Sequence, residues 1–152
     1  MSTELLKLIK NFAPAYTKGN LLMENNQPIP AWVFNLYNEH LGVKRTLAEG
    51  IQANVLTGQH VMLSVVRFEP NSAGTMHSHP EEQWGVLLEG ECIRLQGDEA
   101  VTMKAGDFWH TPGGVAHTIH AGMLGALVLD IFSPPRQEYT QPGEGFGQAT
   151  GS

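Results

Sequence analysis

The 152-residue sequence predicts an all-β fold built from antiparallel strands, and three observations carry that prediction. Short runs rich in β-branched, aliphatic and aromatic residues, Val61 to Phe68, Trp84 to Leu88, Cys92 to Leu95 and Ala126 to Phe132, are bounded by Gly, Pro, Asn or Asp. The 17 Gly and 9 Pro are spread along the chain, as many tight turns require. The runs also follow one another too closely for crossover helices, which leaves antiparallel pairing.

Taken in order, the chain opens with a short amphipathic helix over residues 3–12. Leu5, Leu6, Leu8, Ile9 and Phe12 recur at helical spacing behind Ser2 and Thr3 as caps, and Pro14 ends the pattern. Its expected role is to cover an edge or end of the strand assembly. Gly19 to Pro30 reads as loop, with extended structure expected at Trp32 to Phe34. The β texture begins at Lys44, so the expected organisation is an N-terminal helix and arm over 1–43, a barrel over 44–140 and a flexible tail over 141–152. No internal repeat is evident, and the length fits one domain.

Composition removes several function classes. Fifteen acidic against nine basic residues give a formal net charge of −6, and no stripe of Lys or Arg follows a phosphate backbone, so nucleic acid is not an expected partner. Nothing approaches the roughly 20 apolar residues of a membrane helix. Glu4, Lys7 and Lys10 interrupt what would have to be a signal peptide. A lone cysteine, Cys92, cannot form an intrachain disulfide and suits a reducing cytoplasm.

The chemistry lies in two clusters. In His77-Ser78-His79 the two imidazoles share a face, because side chains alternate in extended backbone. Gln83 follows four residues later and leads into Trp84 to Leu88, a strand expected to end in a turn at Gly90; it reaches the same face if Pro80-Glu81-Glu82 bends. Gly106 to His117 reads as strand, tight turn and strand, with His117 at the return to the sheet. His40, His60, His110 and His120 stand alone and are read as hydrogen-bonded core or surface residues.

These clusters resemble the cupin family. Its first motif places two histidines around one residue, then a carboxylate, six residues and a glycine, and His77, His79, Gln83 and Gly90 stand at those intervals. Its second motif is matched by Gly106, Pro112, Gly114 and His117, and fifteen residues separate Gly90 from Gly106. The departures are Asn71 at the opening glycine of the first motif, Gln83 for the usual glutamate and Ala121 for the closing asparagine of the second. The resemblance covers residues 44–139 and implies an antiparallel jelly-roll β-barrel around one metal and one small ligand. It implies His77, His79, Gln83 and His117 as ligands of a divalent transition metal, with Zn, Ni, Fe, Mn and Co all suited to imidazole and oxygen donors. A neutral amide in place of a carboxylate leaves the ion its full charge, which favours Lewis acidity.

Within the cupins, His77 to Gln83 and Leu129 to Arg136 look like the pectin-degradation cupin that linearises unsaturated uronates. That resemblance implies Asp130 as proton donor or acceptor, Phe132 against the substrate, and Arg136 pairing bidentately with a substrate carboxylate. Competing readings are an Fe(II)-dependent dioxygenase, an organosulfur-acid lyase, or a non-catalytic metal and ligand-binding barrel. In each enzymatic case the expected partner is a small acidic molecule, and a homodimer is expected because such barrels cover their edges with a second copy.

Overall fold

The computed structural model describes residues 30–147. The chain divides into two units, Met1–Asn38 and Glu39–Ser152. Within the described part of the first unit, where extended structure is expected at Trp32 to Phe34, Trp32 lies in a turn and Val33 and Phe34 belong to no strand. The Val33 N–H donates to the Pro30 carbonyl at 2.9 Å and that of Asn38 to the Asn35 carbonyl at 3.0 Å. The Asn35 side chain also accepts from the Tyr37 N–H at 2.8 Å, a local bond that competes with strand formation. The helix expected over 3–12 lies outside the described residues.

The second unit is a β-barrel of eight strands: β1 Val43–Ala48, β2 Ile51–Thr57, β3 Met62–Phe68, β4 Glu82–Gln96, β5 Glu99–Lys104, β6 Phe108–Thr111, β7 His117–Ser133 and β8 Gly143–Glu144. The sheet order is β5-β4-β7-β3-β2-β1-β8, and β6 pairs with β4. Every pairing is antiparallel except β1 with β8.

The two long strands carry the architecture. One half of β4 pairs with β6, the other with β5, and β7 runs beside both halves. The expected turn at Gly90 is instead a pair of bulges inside β4, with register shifts between Leu87 and Glu89 and between Gly90 and Cys92. Gly90 has φ +81°, and a Cβ there would collide with the carbonyl of Gly125, itself at φ +74°. Two glycines back to back thus let both strands bend at one level without breaking the ladder.

Inward-facing positions recur at period two, and Ile51, Val55, Met62, Val66, Leu87 and Val128 form the fully buried centre of the core. Of the tail expected from 141, the residues through Gly147 are described. β8 lies beside β1, and the buried Arg45 of β1 donates to the carbonyls of Glu138 and Gln141 at 2.7 Å each, of Glu144 at 3.1 Å and of Gly145 at 3.5 Å. A buried guanidinium needs acceptors, and this one finds them on the returning chain. The segment is a strap across the barrel; 148–152 lie outside the described residues. No helix among the described residues is long and apolar enough to cross a membrane.

Candidate metal centre and active site

His77, His79 and His117 meet inside the barrel, with ligand nitrogens all within 4.8 Å of one another. His117 is the first residue of β7, and its main chain bridges that of His77 in both directions, N–H to carbonyl at 3.1 and 2.8 Å. The segment carrying His77 and His79 is thereby fastened edge to edge to the strand carrying His117. The turn before β7 presses on that segment: Gly114, at φ +82°, donates to the His79 carbonyl at 2.7 Å, and a Cβ on Gly113 would overlap the Pro80 carbonyl. Asn71, where the motif has glycine, adopts φ 60°, a conformation asparagine tolerates better than most residues.

Two of the rings are aimed by their own backbone. His77 Nδ1 lies 2.8 Å from the Thr75 carbonyl oxygen, and His117 Nδ1 lies 2.7 Å from that of Val115. Only an N–H can bond a carbonyl, so each proton sits on Nδ1 and each Nε2 presents a lone pair. His117 Nε2 is buried with no hydrogen-bond partner among the described residues. His79 Nδ1 lies 3.4 Å from the Glu81 carboxylate, and its Nε2 lies 3.0 Å from Gln83 Oε1. Burial, with further contributions from Arg136 at His77 and Arg94 at His117, lowers the pKa of His77 to about 4 and of His117 to about 3. Burial also lowers that of His79. The imidazoles are therefore neutral at physiological pH.

Gln83 reaches the cluster because it faces inward on β4, opposite Phe132 of β7. Asp130 lies two residues along β7 on the same face, diagonal to Gln83, and Gln83 Nε2 donates to Asp130 Oδ1 at 2.7 Å. That bond commits the amide nitrogen, so the amide oxygen faces His79. Asp130 has Gly85 opposite, whose missing side chain leaves room for the Trp109 ring. Burial pushes the Asp130 carboxyl up to about 6, against the opposing pull of Gln83, Arg94 and Arg136.

The donor set fits a divalent transition metal. An orphaned imidazole nitrogen, a second imidazole with its lone pair turned to the same point, and an adjacent imidazole and amide oxygen 3.0 Å apart have the spacing expected of donors sharing an ion at bonds of about 2.1 Å. Moving the His79 proton to Nδ1, towards Glu81, completes four lone pairs on one side, the arrangement in which an outer carboxylate steadies a ligating histidine.

Around this point is a cavity with about 370 Å³ of empty space reaching to solvent, lined by His77, Gln83, His117, Asp130, Phe132 and Arg136 together with Arg94, Tyr139 and Phe146. Phe132 packs edge-on to His79 at 5.4 Å between ring centroids. Phe146, from the strap, stacks on His77 at 4.5 Å. The bidentate role expected of Arg136 meets an obstacle, because its Nε and Nη2 already donate to Glu138 Oε1 at 3.2 and 2.6 Å, and Nη2 also to the Phe146 carbonyl at 2.6 Å. The usual receiving edge of the fork is committed to the protein's own groups. Sequence reasoning overlooked Arg94 and Phe146. Arg94 alternates with Cys92 on β4, a signal that would have placed it indoors. His60, His110 and His120 stay outside the cavity and exposed, His110 stacking on Trp84 and lying 3.1 Å from Glu82 Oε1.

Known proteins agree with this architecture. Residues 64–132 match the family model of the cupin domain, and the barrel has the cupin fold. KdgF from Halomonas sp. is 27% identical, with a TM-score of 0.59, over 62% of this chain and 90% of that one. The resemblance to the pectin-degradation cupin read from the motifs is thus met again in the fold. An RmlC-like cupin from Shewanella frigidimarina, 22% identical over 66% of this chain and 91% of its own, with a TM-score of 0.60, shares the fold. A mutant of oxalate decarboxylase from Bacillus subtilis is 25% identical with a TM-score of 0.57, over 61% of this chain and 27% of that larger one. No curated protein sequence matches the chain.

Proposed function

We propose that the protein is a metal-dependent enzyme that shifts a proton on a small carboxylate-bearing substrate, opening an unsaturated uronate ring to the acyclic keto acid. The observation that carries this reading is the junction of two systems at one cavity wall: Gln83 turns its oxygen towards the histidine nitrogens and its N–H towards Asp130. A metal ligand and a proton-transfer group are coupled through a single amide. The 27% identity to KdgF and the interval Asp130, Phe132, Arg136 support the same substrate class.

His77, His79, His117 and Gln83 would hold the ion, which supplies Lewis acidity towards a substrate oxygen. Asp130, with its carboxyl raised to about 6 by burial, would protonate the alkene carbon of the enol formed when the ring opens and recover its proton from the enol oxygen. The overall change is an isomerisation in which no atom is gained or lost. Phe132 and Phe146 give the sugar ring apolar faces and keep water from the reacting bond. Arg136 closes one wall and holds the strap through the Phe146 carbonyl. A homodimer formed through the open β5 edge, where Val101 is exposed, belongs to this reading.

The test is elemental analysis of the purified protein, followed by incubation of each metal-loaded form with an unsaturated uronate. Loss of the alkene absorbance faster than in buffer is the expected result, abolished in His117→Ala together with bound metal. No acceleration with Zn, Ni, Fe, Mn or Co would remove the proposal, and oxygen consumption with Fe(II) would replace it with a dioxygenase.

A further inference from the structure

We propose that Arg94, not Arg136, receives the carboxylate of the substrate. This inference rests on the acidic-substrate reading above and deepens it. Both guanidiniums are buried and both line the cavity. They differ in what already neutralises them.

Arg136 has two carboxylates of its own, Glu138 at 2.6 Å and Glu81 at 3.8 Å, besides the Phe146 carbonyl. Arg94 has none: among the described residues no carboxylate lies within 4.0 Å of it. Its Nη2 donates to two neutral oxygens, Thr111 Oγ1 at 2.7 Å and Gln96 Oε1 at 3.2 Å, and its buried Nε has no acceptor. The Thr111 hydroxyl in turn donates to Gln96 Oε1 at 2.7 Å, which holds both acceptors in place. The Trp109 ring, 5.3 Å from Cζ, supports the cation from the side.

A buried cation without a counter-ion is costly to the fold. The strain shows in Arg94 itself, whose pKa burial lowers to about 10 despite the opposing field of Asp130. An arriving carboxylate would supply the missing counter-ion. Arg94 lines the same cavity as Asp130 and His117, so a substrate held there by its carboxylate would share that space with both. A guanidinium with free N–H donors gains more from a carboxylate than one whose donors must first leave Glu138.

The experiment compares binding of D-galacturonate and D-galacturonamide, probes that differ in charge at one position, to metal-loaded wild type, Arg94→Met and Arg136→Met by calorimetry. Wild type should prefer the acid by at least tenfold, Arg94→Met should fall below twofold, and Arg136→Met should keep the preference. The thermal midpoint of Arg94→Met should equal or exceed that of wild type, since an unpaired buried charge has gone. A merely structural arginine would lower it. If Arg94→Met does not fold, Arg94→Gln carries the same expected loss of preference. Retention of the preference in a folded Arg94 variant, with its loss in Arg136→Met, overturns the inference and leaves the acidic-substrate reading standing. Equal binding of both probes by wild type overturns that reading and this inference together.

Discussion

Replacing Arg45 by methionine keeps the aliphatic stem and removes the guanidinium that ties the strap to β1. The three closest of its four carbonyl partners, those of Glu138, Gln141 and Glu144, lose donors at 2.7, 2.7 and 3.1 Å, and Tyr139 loses a cation 4.6 Å from its ring centroid. Hydrogen bonds from a charged donor are worth about 1.5–3 kcal/mol each, so the sum of the three reaches roughly 4.5–9 kcal/mol. The full sum should not appear. Glu138, Gln141 and Glu144 are exposed, and once the strap lifts their carbonyls bond to water. The expected global loss is therefore about 2–4 kcal/mol, with local release of 141–147 preceding it. Urea unfolding measures the first as a lower midpoint at unchanged slope, and amide hydrogen exchange measures the second as early exchange at Gly145, whose N–H now donates to the Thr46 carbonyl at 2.9 Å. A midpoint equal to wild type, with Gly145 still protected, would refute the claim that Arg45 holds the strap.

Acid should destabilise the metal-free protein. His77 and His117 have folded pKa values of about 4 and about 3, below the ordinary 6.5, so the unfolded chain binds more protons and stability falls as pH drops below 6.5. Each such histidine contributes a slope of about 1.4 kcal/mol per pH unit. Asp130, raised from 3.8 to about 6, acts in the opposite sense, losing stability as pH rises between those values, so Asp130→Asn should steepen the acid loss; an unchanged slope in urea titrations from pH 6 to 4 would contradict the assignment. Gln83→Glu replaces the amide that donates to Asp130 with a second carboxylate, which should tighten metal binding, raise the Asp130 pKa further and lower turnover at least tenfold; a fully active variant measured at saturating metal would count against the coupled amide. Gly113→Ala puts a methyl on the Pro80 carbonyl and should cost about 1–3 kcal/mol in thermal or chemical unfolding, whereas no change in Tm would show that the two loops are not pressed together.

The strands and the histidines were legible because both depend on local rules. Alternation at period two places His77 with His79, and the bounded runs mark the strands, whatever the rest of the chain does. What escaped is long-range. The strap reads as a Gly and Pro-rich tail, and nothing near residue 141 reveals that a guanidinium 96 positions earlier will bind its carbonyl. Gly90 looks like a turn until Gly125 is seen to face it. Arg94 carries the alternation signal of an inward residue, but a charged side chain in a strand is ordinarily a surface group, and only the neutral company of Thr111 and Gln96 sets it apart. Arg136 lines the cavity, yet its partner Glu138 lies only two residues on, a pairing that strand periodicity does not anticipate.

The short tethers from His77 and His117 to carbonyls two residues upstream have a thermodynamic corollary. Because rotation about each ring's bonds is surrendered on folding to these bonds, an arriving ion would find the nitrogens already oriented and induce little further ordering. Loading should then carry a small heat-capacity change and a rate governed by the dehydration of the ion. Exchange of one metal for another would leave the surrounding scaffold in place, so the element in the site reflects supply in the cell as much as selection by the protein.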